Sequence, residues 1–432
     1  MPNRLKTEVD HFNSQPRNFR VLTFTNMIYA LVLPVIDTFM AAYIMRSTHG
    51  DLTKVVIYQL TIYTGIPLTF LLNGFLLQHF NIRKLYSAGM MLSGISMIYM
   101  MSLSELNVVG LGIAGLIMGL SFGFYWSNRD VLALAITNDS NRNYYYGMET
   151  LFYTIIAVVV PICIGFFIDS RIGAESKQSA YVIITGVVFA ITIAASIMCF
   201  RGSFTNPPQK KFVFFKFHPL WYKLLTLASL KGLAQGFLVT APAMLILKFF
   251  GNEGALGSAT SIGAVIAALI MYVLGRISKP SDRIKIFATG LLLFAVGAAI
   301  NGVLYSQLGV VIFILMLLIA KPLMDLAYFP IQFQVIDIVS KIENRNEYAY
   351  ILNHEAGLYV GRFLGAATFL VMAKYGSADT ALRYAVVIIG VLQLCSIFVG
   401  KQIIAQGKKI MPEAEHDTDD LRVMEKVSEA IA

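Results

Sequence analysis

Long apolar runs alternate with short polar segments over almost the whole chain. Roughly twelve of the runs reach spanning length, near residues 19–45, 55–79, 84–103, 106–136, 148–168, 179–200, 222–249, 257–278, 286–305, 309–338, 350–374 and 381–404. A helix rising about 1.5 Å per residue needs about 20 such residues to cross a hydrocarbon layer of about 30 Å. The pattern predicts an all-α polytopic membrane protein of twelve transmembrane helices. Connections are short except Arg201 to Tyr222, RGSFTNPPQKKFVFFKFHPLWY, whose Pro, Lys and aromatic residues suit a membrane surface. That segment divides the chain into a six-helix bundle at 1–200, a cytoplasmic loop at 201–221, a second six-helix bundle at 222–404 and an acidic tail at 405–432.

The polar positions inside the apolar runs carry the functional signal. In VIFILMLLIAKPLMDLAYFPIQFQVID, Val311 to Asp337, the first ten residues are uncharged, and Lys321 and Asp325 follow. That places a cation and an anion about 15 Å in, near the middle of the bilayer. Lys321, Asp325, Tyr328 and Gln332 are spaced i, i+4, i+7 and i+11 and share one helical face. A charge at that depth costs at least a few kcal/mol unless it faces protein or water. Lys321 and Asp325 are therefore candidates for binding solute and carrying a proton; the bland alternative is a static i, i+4 pair. Pro322 and Pro330 on the same run remove backbone donors and are expected to permit bending.

Further polar clusters fall on other runs. Glu355, Tyr359 and Arg362 lie at i, i+4 and i+7. They read as a titratable Glu held by Arg362, or as Arg362 clamping an anionic group with its planar fork, or as a structural bridge. Neighbouring His354 points away from Glu355 on a helix, so packing is expected of it. Lys231 and Gln235 form an i, i+4 pair on the seventh run, too deep for the lysine to reach the surface easily. Asp37 follows Pro34 with no cation nearby in sequence and is a candidate proton carrier, unless tied to Lys231 or Lys321. Arg129 and Asp130 come after Tyr125 and Trp126 near the end of the fourth run, and Glu149 opens the fifth; gating or anchoring is expected of these. Gln59, Tyr63 and Thr64 add neutral hydrogen-bonding groups, with packing as their default. The glycines of GLGIAGLIMGLSFG are expected to allow close helix contacts.

Composition agrees. The chain has 432 residues, 57% hydrophobic and 14% charged, with a mean hydropathy of +0.67. Its formal charge of +9 and pI of about 9.3 do not point to nucleic acid, because the basic residues sit in short loops between apolar runs. With both termini cytoplasmic, only Arg46, Lys54, Arg171, Lys177, Lys248, Lys374 and Arg383 of the 34 Lys and Arg fall outside. Arg129, Lys231, Lys321 and Arg362 fall within spans, and the rest lie inside, as the positive-inside rule requires. The acceptor-like Asn138-Asp139-Ser140 is then cytoplasmic and is discounted. Cys163, Cys199 and Cys395 lie in apolar runs without metal or redox spacing and read as inert packing. The first 18 residues are polar and show no removable signal peptide. From Pro412 the tail turns acidic through Glu413, Glu415, Asp417, Asp419 and Asp420, as a solvated end would.

The halves echo each other. VLTFTNMIYALVLPVIDTF at Val21 aligns loosely with LLTLASLKGLAQGFLVTAP at Leu224, and the kernel Asn-Arg-Asn recurs at Asn141 to Asn143 and Asn344 to Asn346. Two six-span halves, a long middle loop and internal termini together resemble the major facilitator superfamily. Its loop signature between spans two and three is matched by Gly74, Leu76 and Arg83 in GFLLQHFNIRKL; Gln78 stands where the family has Asp, and Asn81 where it has Gly. The counterpart from Gly275, GRISKPSDRIK, is looser. The resemblance implies that spans 1, 4, 7 and 10 line a central cavity, and that Arg83 serves in gating. The buried charges fall on spans 1, 4, 5, 7, 10 and 11, as a wet chamber would demand.

These features point to a secondary active transporter in the plasma membrane that works by alternating access. The mid-depth charges nearly balance, Lys231, Lys321 and Arg362 against Asp37, Asp325 and Glu355. A small polar, anionic or zwitterionic organic solute moved with a proton is therefore expected. Export of drugs or of lipid-linked substrates, and a non-transporting sensor, are the alternatives. No GxxxxGK[ST], HExxH or GxSxG motif appears, so no cofactor, no metal, no ATP and no enzyme activity are expected. The partners implied are solute, protons and lipid, with no nucleic acid, and the chain is expected to be a monomer.

Overall fold

The helices end where polar residues take over the backbone donors that the first turn leaves unpaired. Asp51 Oδ1 accepts from the amides of Thr53 and Lys54 at 3.0 and 3.4 Å, and Asn107 Oδ1 from that of Gly110 at 2.7 Å. Asn81 and Ser306 cap their helices in the same way. The chain, a computed structural model, is described over residues 9–410 except 138–140, 207–210, 212 and 346. The Asn138-Asp139-Ser140 sequence, Asn346 of the repeated kernel and the acidic residues from Pro412 onward lie outside the described residues.

Twelve helical spans follow one another: α1 Arg17–Ser47, α2 Leu52–Leu76, α3 Ile82–Ser102, α4 Val108–Ile136, α5 Arg142–Asp169, α6 Ala174–Phe200, α7 Pro219–Phe250, α8 Glu253–Ile277, α9 Arg283–Leu304, α10 Gln307–Ile342, α11 Glu347–Tyr375 and α12 Ala378–Ile410. Eleven are long and apolar enough to cross a membrane on composition alone. The other, α3, has 21 residues, but serines, glycines, Arg83 and Lys84 dilute its apolar character. Most helices extend a few residues past the apolar runs, because the capping turns are helical yet polar.

Among the described residues three spans are interrupted, α12 only by a turn at Leu394. In α1 an α-helix ends at Ala30, a π-turn runs from Val35 to Phe39, and α-helix resumes at Met40. Pro34, which has no N–H to return to the preceding turn, sits at this break. In α7 the helix stops at Leu238 and restarts at Ala241, with Pro242 in the first turn of the second piece. Pro322 and Pro330, where bending is expected, do not break α10, which runs for 36 residues.

The described chain forms two compact units. One comprises Met1–Gln209, Gly236–Ala268 and Ala366–Leu382. In it α4 lies against α2 along a glycine seam. A Cβ on Gly119 would stand 2.2 Å from the Ile62 carbonyl oxygen, and one on Gly123 2.4 Å from Thr69 Cβ. These are the close contacts anticipated for the glycines of α4. The start of the middle loop is strapped to the α2–α3 turn. Asn206 Nδ2 donates to the carbonyls of Leu77 and Phe80, and Asn206 Oδ1 accepts from the Ile82 amide.

The other unit comprises Lys210–Gln235, Leu269–Gly365 and Arg383–Ala432. Its core gathers Trp221, Leu224, Phe287, Tyr328, Ile331 and Tyr350. Large apolar side chains such as Leu269, Val303 and Phe398 are exposed, as expected of surfaces that meet lipid rather than water.

Candidate functional site

Glycine decides how closely α7 and α11 approach. A Cβ on Gly361 would lie 1.9 Å from the Ser229 carbonyl oxygen, and one on Gly232 2.1 Å from that of Leu358. Ser229 Oγ also donates to the Gly357 carbonyl at 3.0 Å. Backbones this close exclude any side chain at the crossing and bring the polar faces of the two helices together.

Lys231 and Gln235 are one turn apart on α7, the first paired with α10 and the second with α11. Lys231 Nζ donates to Asp325 Oδ1 of α10 at 2.9 Å and lies 3.9 Å from the ring centroid of Tyr328 and 4.0 Å from that of Phe329. Gln235 Oε1 accepts from Arg362 Nε at 3.0 Å, and Arg362 Nη1 donates to Glu355 Oε2 at 3.2 Å. The two ion pairs are thus joined through adjacent turns of α7. They are only partly buried, with 16% of the Lys231 side chain and 30% of Asp325 exposed. Neutralising one member alone would leave its partner charged inside a membrane span.

Of the other expected residues in this unit, Lys321 is exposed, and the ion pair of Asp325 goes to Lys231 instead. Lys321 stands one turn from Asp325 on the same helix, yet Asp325 pairs with Lys231 of the neighbouring α7. Tyr328 is buried, its hydroxyl 2.7 Å from His354 Nε2. Gln332 is buried with no hydrogen-bond partner for Oε1. Tyr359 is half-buried with its ring 6.4 Å from that of Phe363.

The first unit holds a separate constellation. Arg129 Nε donates to Glu149 Oε1 at 3.1 Å, a second bond joins Nη2 to Glu149 Oε2, and Nη1 donates to Asp130 Oδ1 at 2.7 Å. Glu149 is buried, and Asp130 is exposed. Asn26 Nδ2 adds donations to Glu149 Oε1 at 2.8 Å and to the Tyr145 hydroxyl at 2.9 Å, while Tyr86 donates to Asn26 Oδ1. This is a bidentate, fully partnered carboxylate. Asp37 is exposed on the π-turn of α1. Arg83 Nη1 donates to the carbonyls of Phe200 and Gly202 at 3.1 and 3.0 Å, closing the C-terminus of α6.

One cluster escaped sequence reasoning. Glu253, at the start of α8, is fully buried and takes Arg46 Nε at 2.7 Å, Lys177 Nζ at 3.1 Å and the Tyr181 hydroxyl at 3.3 Å. Lys177 also reaches Asp169 at 2.9 Å. Gly257 lets α8 press on α5, where its Cβ would lie 2.2 Å from the Pro161 carbonyl oxygen. Beside the cluster is a cavity of about 480 Å³ lined by Arg46, His49, Leu247, Lys248, Glu253 and Asp379. In sequence Glu253 reads as an ordinary acid at a helix start. The preference of carboxylates for that position hides its role. Asn26, Tyr86 and Tyr145 were missed because neutral polar residues in apolar runs default to packing.

Comparison with known proteins agrees with this architecture. The Major Facilitator Superfamily model matches residues 22–366. The uncharacterized protein YqgE of Bacillus subtilis (strain 168) is 22% identical over 402 residues, covering 92% of each chain. An uncharacterized protein of the sodM 3' region of Geobacillus stearothermophilus is 25% identical over 193 residues, 45% of this chain and 86% of that one. Among solved structures, a bacterial homologue of the iron transporter ferroportin in its inward-facing state has a TM-score of 0.65 at 14% identity, over 88% of this chain and 98% of its own. The nucleoside transporter NupG has a TM-score of 0.65 at 12% identity, over 90% and 99%. The chain belongs to the Major Facilitator Superfamily.

Proposed function

We propose that this membrane transporter moves a small polar, anionic or zwitterionic organic solute across the plasma membrane by alternating access, coupled to protons, with both termini cytoplasmic. The observation that carries the reading is the linked pair of ion pairs, Lys231 with Asp325 and Arg362 with Glu355, in membrane-spanning helices and only partly buried. Equal numbers of cations and anions favour a solute that offers a negative group, or both signs, over a lipophilic cation. In this reading Lys231, Gln235, Lys321, Tyr328, Gln332, Tyr359 and Arg362 contact solute, and Asp37, Asp325 and Glu355 carry protons. Arg83, Arg129, Asp130 and Glu149 hold the closed states.

Asp37 supports the reading independently. A carboxylate that is exposed on a π-turn within a span needs water beside it, and such turns recur at functional positions. A homologue of an iron transporter and a nucleoside transporter are equally similar in fold, so the structural neighbours do not choose the solute.

The test is uptake by proteoliposomes under an imposed pH gradient, screened over organic anions, amino acids and nucleosides, with internal pH followed in parallel. Gradient-driven accumulation that is lost in Glu355→Gln and in Asp325→Asn supports the proposal. Accumulation that is indifferent to the gradient removes the proton from it, and a folded protein that moves none of these solutes removes the transport reading.

A further inference from the structure

We infer that Asp325, Tyr328 and Phe329 form a binding box for an organic ammonium group, and that Lys231 is its built-in occupant, displaced when a zwitterionic solute enters. The inference rests on the transporter reading above and narrows its solute class.

The geometry around Lys231 Nζ is that of a bound cation. One carboxylate oxygen lies at 2.9 Å and two aromatic centroids at 3.9 and 4.0 Å. An ion pair needs the carboxylate alone. Two ring faces at cation–π distance add an attraction that favours a bulky, weakly hydrated cation over a compact ammonium. Tyr328 is fixed in place by its bond to His354 and by burial among core residues, so this wall of the box is preformed. Phe329 is exposed, and Asp325 keeps part of its surface open, so these two walls are not locked into the core.

Exchanging one cation for another leaves the charge of the box unchanged. The displaced Lys231 ammonium still needs an anion, because an uncompensated charge in a span is costly. A solute that carries its own carboxylate supplies one. Arg362 stands one turn along through Gln235 and offers the second anion-seeking group. A simple cation strands Lys231, and a simple anion leaves the box filled by it. Zwitterions with an alkylated nitrogen satisfy both halves.

The test measures binding of glycine betaine, tetramethylammonium and acetate to the full chain in lipid nanodiscs. The native protein is expected to bind betaine at least tenfold more tightly than tetramethylammonium or acetate. Lys231→Gln, which empties the box, is expected to bind tetramethylammonium at least tenfold more tightly than the native chain. Tetramethylammonium binding that does not improve in that variant overturns the inference. So does acetate binding that is present in the native chain and lost in Lys231→Gln, because Lys231 would then be an anion site. Should Lys231→Gln fail to fold, Phe329→Leu in the native chain decides: at least a fivefold loss of betaine affinity supports the box, and unchanged affinity overturns it. Gradient-driven flux of a solute of another class, with none of these probes bound, rejects the box and leaves the transporter. Betaine binding without any flux rejects the transporter and leaves the box.

Discussion

Lys231 on α7 and Asp325 on α10, far apart in sequence, meet at 2.9 Å, and neither is fully buried. Removing one member leaves the other charged in a span, whereas removing both leaves none. Lys231→Ala and Asp325→Ala are each expected to lower stability by about 1–3 kcal/mol, and the double variant by less than their sum. The coupling is read from a double-mutant cycle of urea or thermal unfolding in detergent. Additive losses would mean that the pair contributes nothing as a pair. Transport is expected to fall at least tenfold in Asp325→Asn, with the chain still folded.

The α7–α11 crossing brings Arg362 to Gln235 and positions the helix that carries Lys231. Gly361→Ala forces a methyl group to within 1.9 Å of the Ser229 carbonyl oxygen unless the helices part. A cost of about 1–3 kcal/mol is expected, together with loss of solute affinity, because parting the helices also moves Lys231 and Arg362. Gly186→Ala on α6 is the control. A Cβ there meets nothing within 4 Å, so the better helix former is expected to be neutral or to stabilise by up to about 1 kcal/mol. Melting temperatures of the two variants check the contrast.

Arg83 tests a role that the family resemblance implies. Its guanidinium holds the last carbonyls of α6 through Phe200 and Gly202. Arg83→Ala is expected to cost about 1.5–3 kcal/mol, the value of hydrogen bonds from a charged donor. Arg83→Lys should recover only part, because the shorter lysine must bring its ammonium to the place where one nitrogen, Nη1, now serves both carbonyls. Thermal unfolding gives the loss. An uptake rate that collapses while stability is unchanged would assign Arg83 to gating alone.

The helices were legible in the sequence because a bilayer demands uninterrupted apolar length, and their ends were less so because capping turns are polar and helical at once. Lys231, Asp325, Glu355 and Arg362 stood out because a charge in such a run is conspicuous. Their partners were not legible. Spacing along α10 offers Lys321 to Asp325, whereas the packing of α7 beside α10, a fact about two distant segments, gives Asp325 to Lys231. The interruption of α7 at Val239 and Thr240 left no mark in hydropathy, since both residues suit an apolar helix. Glu253 was hidden for the opposite reason: it stands where an acid is ordinary, and its cationic partners lie on α1 and α6.

Glu253 carries the last prediction. It accepts from Arg46, Lys177 and Tyr181 with no exposed surface of its own. Glu253→Gln keeps the shape of the side chain and removes its charge. Arg46 then loses its carboxylate, and Lys177 keeps only Asp169. A loss of about 2–4 kcal/mol is expected, since a buried pair deprived of one partner leaves an uncompensated charge. Pairing Glu253→Gln with Arg46→Gln should restore part of that stability, because the variant then has one cation fewer to satisfy. Raising the salt concentration should not mimic the loss, because ions in solution screen buried pairs weakly. Melting curves of the single and double variants in low and high salt check all three statements. A Glu253→Gln chain as stable as the native one would show that the cluster does not hold the ends of α1, α6 and α8 together.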